Sequence, residues 1–131
     1  MRRELVDEII LHLTPRSRFQ LFPPARERAA WESLGQEDRD EMRRSADRAA
    51  HQAIEPLGAM EYMAYARRGD DVYETNYYKR RNRLCSLILG ECALHDGRYM
   101  DDIVSLIWAI LEESSWVLPQ NNRARYAMKP V

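Results

Sequence analysis

Cysteine, glycine and histidine are scarce here: 131 residues hold two Cys, five Gly and three His. Cys85 and Cys92 lie within one helical pattern, about 10.5 Å apart along the axis at 1.5 Å per residue. That is beyond disulfide reach, and the spacing matches no zinc motif, so they read as free, buried thiols in a reducing or indifferent compartment. The few glycines form no phosphate-cradling loop and no nucleophile elbow. His12, His51 and His95 never pair with an acid or a cysteine at ligand spacing, so neither a metal nor another cofactor is expected. His12 reads as a core or boundary residue, and His95, beside Asp96, as an exposed turn residue. No apolar run approaches the roughly 20 residues that cross a bilayer. The opening "MRRELVDEIILHL" is interrupted by Glu4, Asp7 and Glu8 and no small-residue cleavage site follows, which predicts an amphipathic helix and a cytoplasmic protein. Twenty basic against twenty-one acidic residues give a net charge of -1, so no global field draws the chain to nucleic acid or an acidic membrane.

What is present is a folded composition, 45% hydrophobic and 31% charged, with the helical period in almost every segment and no sustained strand alternation. The fold class expected is all-α, one helical domain over residues 1–131. Leu5, Ile9 and Leu13 make a first stripe that Pro15 stops, and "TPRSRFQLFPP" reads as an extended connection. "PPARERAAWESL" predicts a helix from Pro24 to Gly35 bearing Trp31. In "GQEDRDEMRRSADRAAHQAI" acids precede bases, as a helix dipole favours, and Met42, Ala46, Ala49, Ala50 and Ile54 form a thin stripe. That helix should lie outside and add little to the core, ending near Pro56 and Gly58.

Met60, Met63 and Ala64 share one side of a short helix, Tyr62 and Tyr65 flank it, and Gly69 turns the chain. The helix of Met42 and that of Tyr62 could form a hairpin. The strongest pattern follows, with Leu84, Ile88 and Cys92 at i, i+4, i+8 and Leu87 and Leu94 nearby. Its entry, "KRRNR", reads either as an exposed, salt-bridged helix start or as an anion site. After a short loop around Gly97, Asp101 or Asp102 should cap a helix that buries Ile103, Leu106, Ile107, Ile110 and Leu111, antiparallel to its predecessor. The tail "QNNRARYAMKPV" has no periodic apolar face and reads as part of a larger design.

Chemistry concentrates in "ILEESSWVLPQNN". Trp108, Glu112 and Ser115 or Trp116 fall on adjoining positions of one helical face. An aromatic face beside carboxylates and amides suits a pyranose; the alternative is a core Trp108, a wedging Trp116 and solvated Glu112 and Glu113.

Tyr73 to Asn122 resembles the early helical region of heparinase II/III-like proteins, a family of polysaccharide lyases. The likeness lies in "YYKRRNRL", "GEC", "GRYMDDI" and "IWAILEESSWVLP", and extends upstream through "FPPARERAAWESL" and "GAMEYMAYARRGDDVYE" to Phe22. The resemblance implies antiparallel helical hairpins forming a partial (α/α) toroid, the N-terminal fragment of a larger one, which in the family precedes a β-sandwich. It implies β-elimination on uronic-acid-containing polysaccharide or oligosaccharide: a base removes the proton beside a neutralised carboxylate and an acid, often Tyr, protonates the leaving oxygen. The family's Asn, His and Tyr catalytic set lies in later hairpins, so no catalytic residue is assigned and the isolated chain is expected to be catalytically incomplete.

Glu113, Trp116, Asn121 and Asn122 are the candidates for a substrate-binding rim. The family's small residue and His-Asn after the proline are replaced by Gln120, Asn121 and Asn122. The expected partners are a uronic-acid-containing glycan and, through exposed hairpin faces, further copies of the chain. A non-catalytic helical interaction module, or another toroid-based carbohydrate enzyme such as an unsaturated glucuronyl hydrolase, are the competing readings.

Overall fold

The structure, a computed structural model, describes residues 21–118, and over them five helices form and no strand: α1 (Arg28–Glu32), α2 (Gln36–Ala49), α3 (Ala59–Arg68), α4 (Val72–Leu94) and α5 (Met100–Leu111). The all-α class is what the helical periodicity predicts. The first stripe with His12, and everything from Pro119 onward, lie outside the described residues. The chain divides into two compact units, Met1–Ser33 and Leu34–Val131.

In the first unit the helix expected from Pro24 shrinks to α1. The Pro24 carbonyl accepts hydrogen bonds from Glu27 N (2.9 Å) and Trp31 Nε1 (3.2 Å), so residues 24–27 form a turn that satisfies the indole of a buried Trp31.

In the second unit α4 is the spine, about 34 Å long at 1.5 Å per residue. Helices α2, α3 and α5 each pack on it, whereas α2 and α3 do not pack on each other, so the hairpin expected between them is absent. The α4–α5 hairpin is present. His95 takes a left-handed conformation at the end of α4, exposed as expected, and Gly97 (φ 81°) completes the turn. The residue before α5 is Tyr99 rather than an aspartate; Asp101 and Asp102 sit in the first turn, where their charge still favours the dipole. Glu91 of α4 takes over the capping role, accepting from Gly97 N (2.7 Å) and Tyr99 N (3.3 Å).

The thin alanine stripe of α2 turns out to be central rather than peripheral. Ala46, Ala49 and Ala50 are buried with Leu87, Ile103 and Leu106 in the main apolar cluster. Small side chains are what permit this: a Cβ added at Gly90 would overlap the Ala46 methyl and come within 3.1 Å of the Tyr99 ring and 3.4 Å of the Met42 carbonyl. Gly90 costs the helix about 1 kcal/mol relative to alanine, which close packing of the two helices offsets. The outer face of α2 carries ion pairs, Arg44–Glu41 (2.9 Å) and Arg48–Glu41 (3.1 Å) among them, which solvent and salt screen.

A second cluster joins Tyr65, Tyr73 and Leu118, with Leu57, Tyr62 and Tyr77 packed on it. Thus α3 buries Tyr65, with Tyr62 packed beside it, and its methionine side is exposed, Met60 at 74%. The turn after α3 is the predicted one, with Gly69 left-handed (φ 75°). In α5 only Ile103 and Leu106 are buried; Ile107 and Leu111 face outward with Val104 and Trp108. Cys85 is exposed and Cys92 half-buried, both as free thiols rather than the buried pair expected. No described helix is long and apolar enough to cross a membrane.

Candidate functional site

Between the two apolar clusters along α4 lies a turn rich in arginine. The stretch "KRRNR" was expected to be an exposed helix start or an anion site, yet Arg80 and Arg83 are buried. Of the buried positions of α4, Tyr73, Arg80 and Leu87 and, alongside, Arg83 and Gly90 step by seven residues, and Ala93 follows Gly90 by three. Seven residues is two turns, so these form one stripe, rotated by about one residue (100°) from the apolar series Leu84, Ile88, Cys92.

Buried guanidinium groups are tolerated only when their donors are used. Arg83 donates to the Ala49 carbonyl (3.2 Å from Nη2), one that the end of α2 leaves unpaired, and to the carbonyls of Gln52 (2.9 Å) and Ala53 (2.8 Å) in the segment that follows. It also pairs with Glu55 (3.3 Å), whose other oxygen meets Lys79 (2.7 Å). Burial works to raise the Glu55 pKa, but the Lys79 hydrogen bond and the two cations hold it below the ordinary carboxylate range.

Arg80 binds the Glu55 carbonyl through Nε (2.8 Å) and Nη2, and the Ala109 carbonyl (3.2 Å) and Glu113 (3.2 Å) through Nη1. Arg81 approaches the same carboxylate at 2.6 Å, with its guanidinium carbon 3.3 Å from the centre of the Tyr77 ring. The Glu113 side chain is only 1% exposed. It is therefore a buried anion that fixes the chain leaving α5, and two further contacts hold that segment on α4. Tyr77 donates to the Trp116 carbonyl (3.0 Å), and Leu118 packs with Tyr65 and Tyr73.

This pinning leaves a concavity of about 570 Å³, walled by Leu57 and Gly58 before α3, Tyr62 and Met63 on α3, Tyr73 on α4, and the residues that follow α5. Arg80 and Glu113 form part of its wall, and Glu112, Ser114 and Ser115 complete it. Tyr62 and Tyr73 meet edge to face, centroids 5.2 Å apart. Tyr73 is 4% exposed, and its hydroxyl has no hydrogen-bond partner among the described residues. Burial, then the negative charge of Glu113, pushes its pKa up, so the phenol keeps its proton and is a donor.

The chain matches no protein-family model, and no curated protein matches it. Of the four residues expected at a sugar-binding rim, Glu113 stands in the cavity wall as an ion-pair partner. Trp116 is 57% exposed just beyond it, and Asn121 and Asn122 lie outside the described residues. Trp108, a candidate for either sugar stacking or core packing, is 65% exposed. Tyr73 and Arg80 escaped sequence reasoning because neither belongs to the apolar series; the seven-residue step back from Leu87 was the signal that carried them. Among the described residues no group of His, Cys, Asp and Glu could hold a metal ion.

Proposed function

We propose that this chain is the N-terminal helical part of a heparinase II/III-like polysaccharide lyase, and that the cavity beside the end of α5 receives part of a uronic-acid-containing glycan. The observation that carries the reading is one of place. The stretch on which the resemblance is most specific, "ILEESSW", is the segment that the Arg80–Glu113–Arg81 cluster pins against α4 to form one wall of a concave, mixed aromatic and polar site. Such a wall suits a sugar: ring edges and a methionine for its apolar face, hydroxyls and a carboxylate for its hydroxyls.

In this reading Glu113 positions the wall and does not touch the glycan, while Trp116 extends the rim. β-Elimination belongs to residues outside this chain, so residues 1–131 alone bind and do not cleave. The test is unsaturated-uronate absorbance: the protein expressed from its whole reading frame should generate it on a uronate polymer, and residues 1–131 alone should not. No absorbance on any uronate polymer from the former would overturn the lyase reading.

A second reading, a non-catalytic helical interaction module that includes self-association, is favoured by the outward series Val104, Ile107, Trp108 and Leu111 on α5. Sedimentation of the wild-type chain against Trp108→Glu separates the two: a concentration-dependent dimer lost in the variant supports the module.

A further inference from the structure

The cavity presents hydroxyl and carboxylate groups, but the one cation that lines it among the described residues is already occupied. Arg80 is the sole basic residue in the wall among the described residues. Its Nε and Nη2 hold the Glu55 carbonyl, and its Nη1 holds the Ala109 carbonyl and Glu113. Of the five N–H donors that a guanidinium carries, at most one is left over. Arg81, the neighbouring cation, is bonded to both oxygens of Glu113, to the Tyr77 carbonyl and to the Tyr77 ring face. Glu113 pairs with both guanidinium groups, and Glu112 stands in the wall next to it in the chain, so two carboxylates accompany two cations before any ligand arrives. A uronate or sulfate entering here would be desolvated without a free cation to receive it, and would meet the exposed carboxylate of Glu112.

The groups that are unspent are of another kind. The Tyr73 hydroxyl is on a side chain more than nine-tenths buried, in the cavity wall, with no partner among the described residues. Glu112, also in the wall and exposed, is an acceptor, and Tyr62 and Met63 offer apolar surface. A donor, an acceptor and an apolar wall are complementary to the vicinal hydroxyls and the C–H face of an uncharged pyranose.

We infer that the cavity is a subsite for a neutral sugar residue, held through its hydroxyls by Tyr73 and Glu112, and that it discriminates against the uronate units of the same polymer. The inference rests on the polysaccharide reading above and narrows it: the charged units of the glycan are read elsewhere.

The test is a titration of isotope-labelled chain with a neutral gluco-tetrasaccharide and, separately, with a uronate tetramer, followed by backbone amide resonances. The neutral probe should shift Tyr73 and the 112–115 amides, with affinity nearly unchanged between about 0.01 and 1 M salt, over which the screening length falls from about 30 to 3 Å. Tyr73→Phe should weaken this binding about tenfold with its spectrum still dispersed, and Glu112→Gln, at an exposed position, several-fold should the first variant fail to fold. Wild-type affinity in both folded variants would overturn the inference, as would a neutral probe that shifts nothing. If only the uronate tetramer binds at these resonances, and salt abolishes it, the neutral subsite falls while the polysaccharide reading stands. If the neutral probe binds as expected but the whole reading frame yields no unsaturated uronate from any uronate polymer, the lyase reading falls and the neutral subsite stands.

Discussion

The two halves of α4 are held to their surroundings in different ways. From Leu87 to Ala93 the helix meets α2 and α5 through small and apolar groups, with Gly90 against Ala46 and Leu87 wholly buried. From Tyr73 to Arg83 it is held by hydroxyls and guanidinium groups that reach backbone carbonyls of other segments. The first arrangement fixes one helix against another at the distance that close packing sets. The second gathers segments with no regular structure, residues 50–58 and 112–118, which present carbonyls rather than side-chain ridges. Arginine suits that task because its fork donates in several directions at once. The polar half of α4 therefore builds the cavity, and the apolar half keeps the bundle together.

The comparison breaks most sharply at the buried charges. Glu113→Ala should cost about 3–5 kcal/mol in denaturant unfolding, because Arg80 remains buried without its counter-ion. Replacing Arg80 and Glu113 together with Met and Leu should cost clearly less than that single change; an additive loss would show that the pair is not acting as a unit. In the apolar half, Leu87→Ala should cost about 2–5 kcal/mol through its cavity, and Gly90→Val about 1–3 kcal/mol through overlap with Ala46. Neither should alter the glycan binding proposed for the far end of α4, whereas Glu113→Ala should, even in conditions where the variant is folded.

A smaller effect links the halves to pH. The Tyr99 hydroxyl donates to Asp47 at 2.6 Å, and burial together with that carboxylate pushes its pKa up to about 12. An unfolded tyrosine ionises near about 10, so the native state retains a proton that the unfolded chain has lost. The stabilisation is complete below the unfolded value and drains away as pH rises from about 10 through about 12. Tyr99→Phe should cost about 1 kcal/mol at neutral pH and flatten the alkaline slope of stability over that interval. Smallest of all, Lys79→Ala removes a half-exposed partner of Glu55 and should change stability by no more than about 1 kcal/mol, with the loss shrinking in high salt.

How much of this was legible in the residues follows from what hydropathy can register. Helix type, the Gly69 turn and the α4–α5 hairpin around Gly97 rest on period and on glycine stereochemistry, which are local, and they were readable. The buried face of α4 was not, because two of its positions are arginines and one is glycine, which a search for apolar stripes passes over. The inward placement of α2 was hidden for a related reason: alanine contributes little area, yet it lets backbones approach. At the candidate site the residues single out the stretch Glu112–Trp116, of which Glu112 to Ser115 line the cavity. The inward burial of Glu113 could not be read there, since its partners stand more than thirty residues away on α4.

Glu91 has a consequence for the order in which the molecule assembles. Its carboxylate closes the turn onto Gly97 and Tyr99, six and eight residues further on. A loop that short loses little entropy on closing and closes within about 100 ns. The turn can therefore form before any distant contact exists, and it delivers Tyr99 and Ile103 to the place where α2 later docks. The Arg83 and Glu113 contacts span about thirty residues and come late by the same logic. The cavity is then the last part of the fold to take shape.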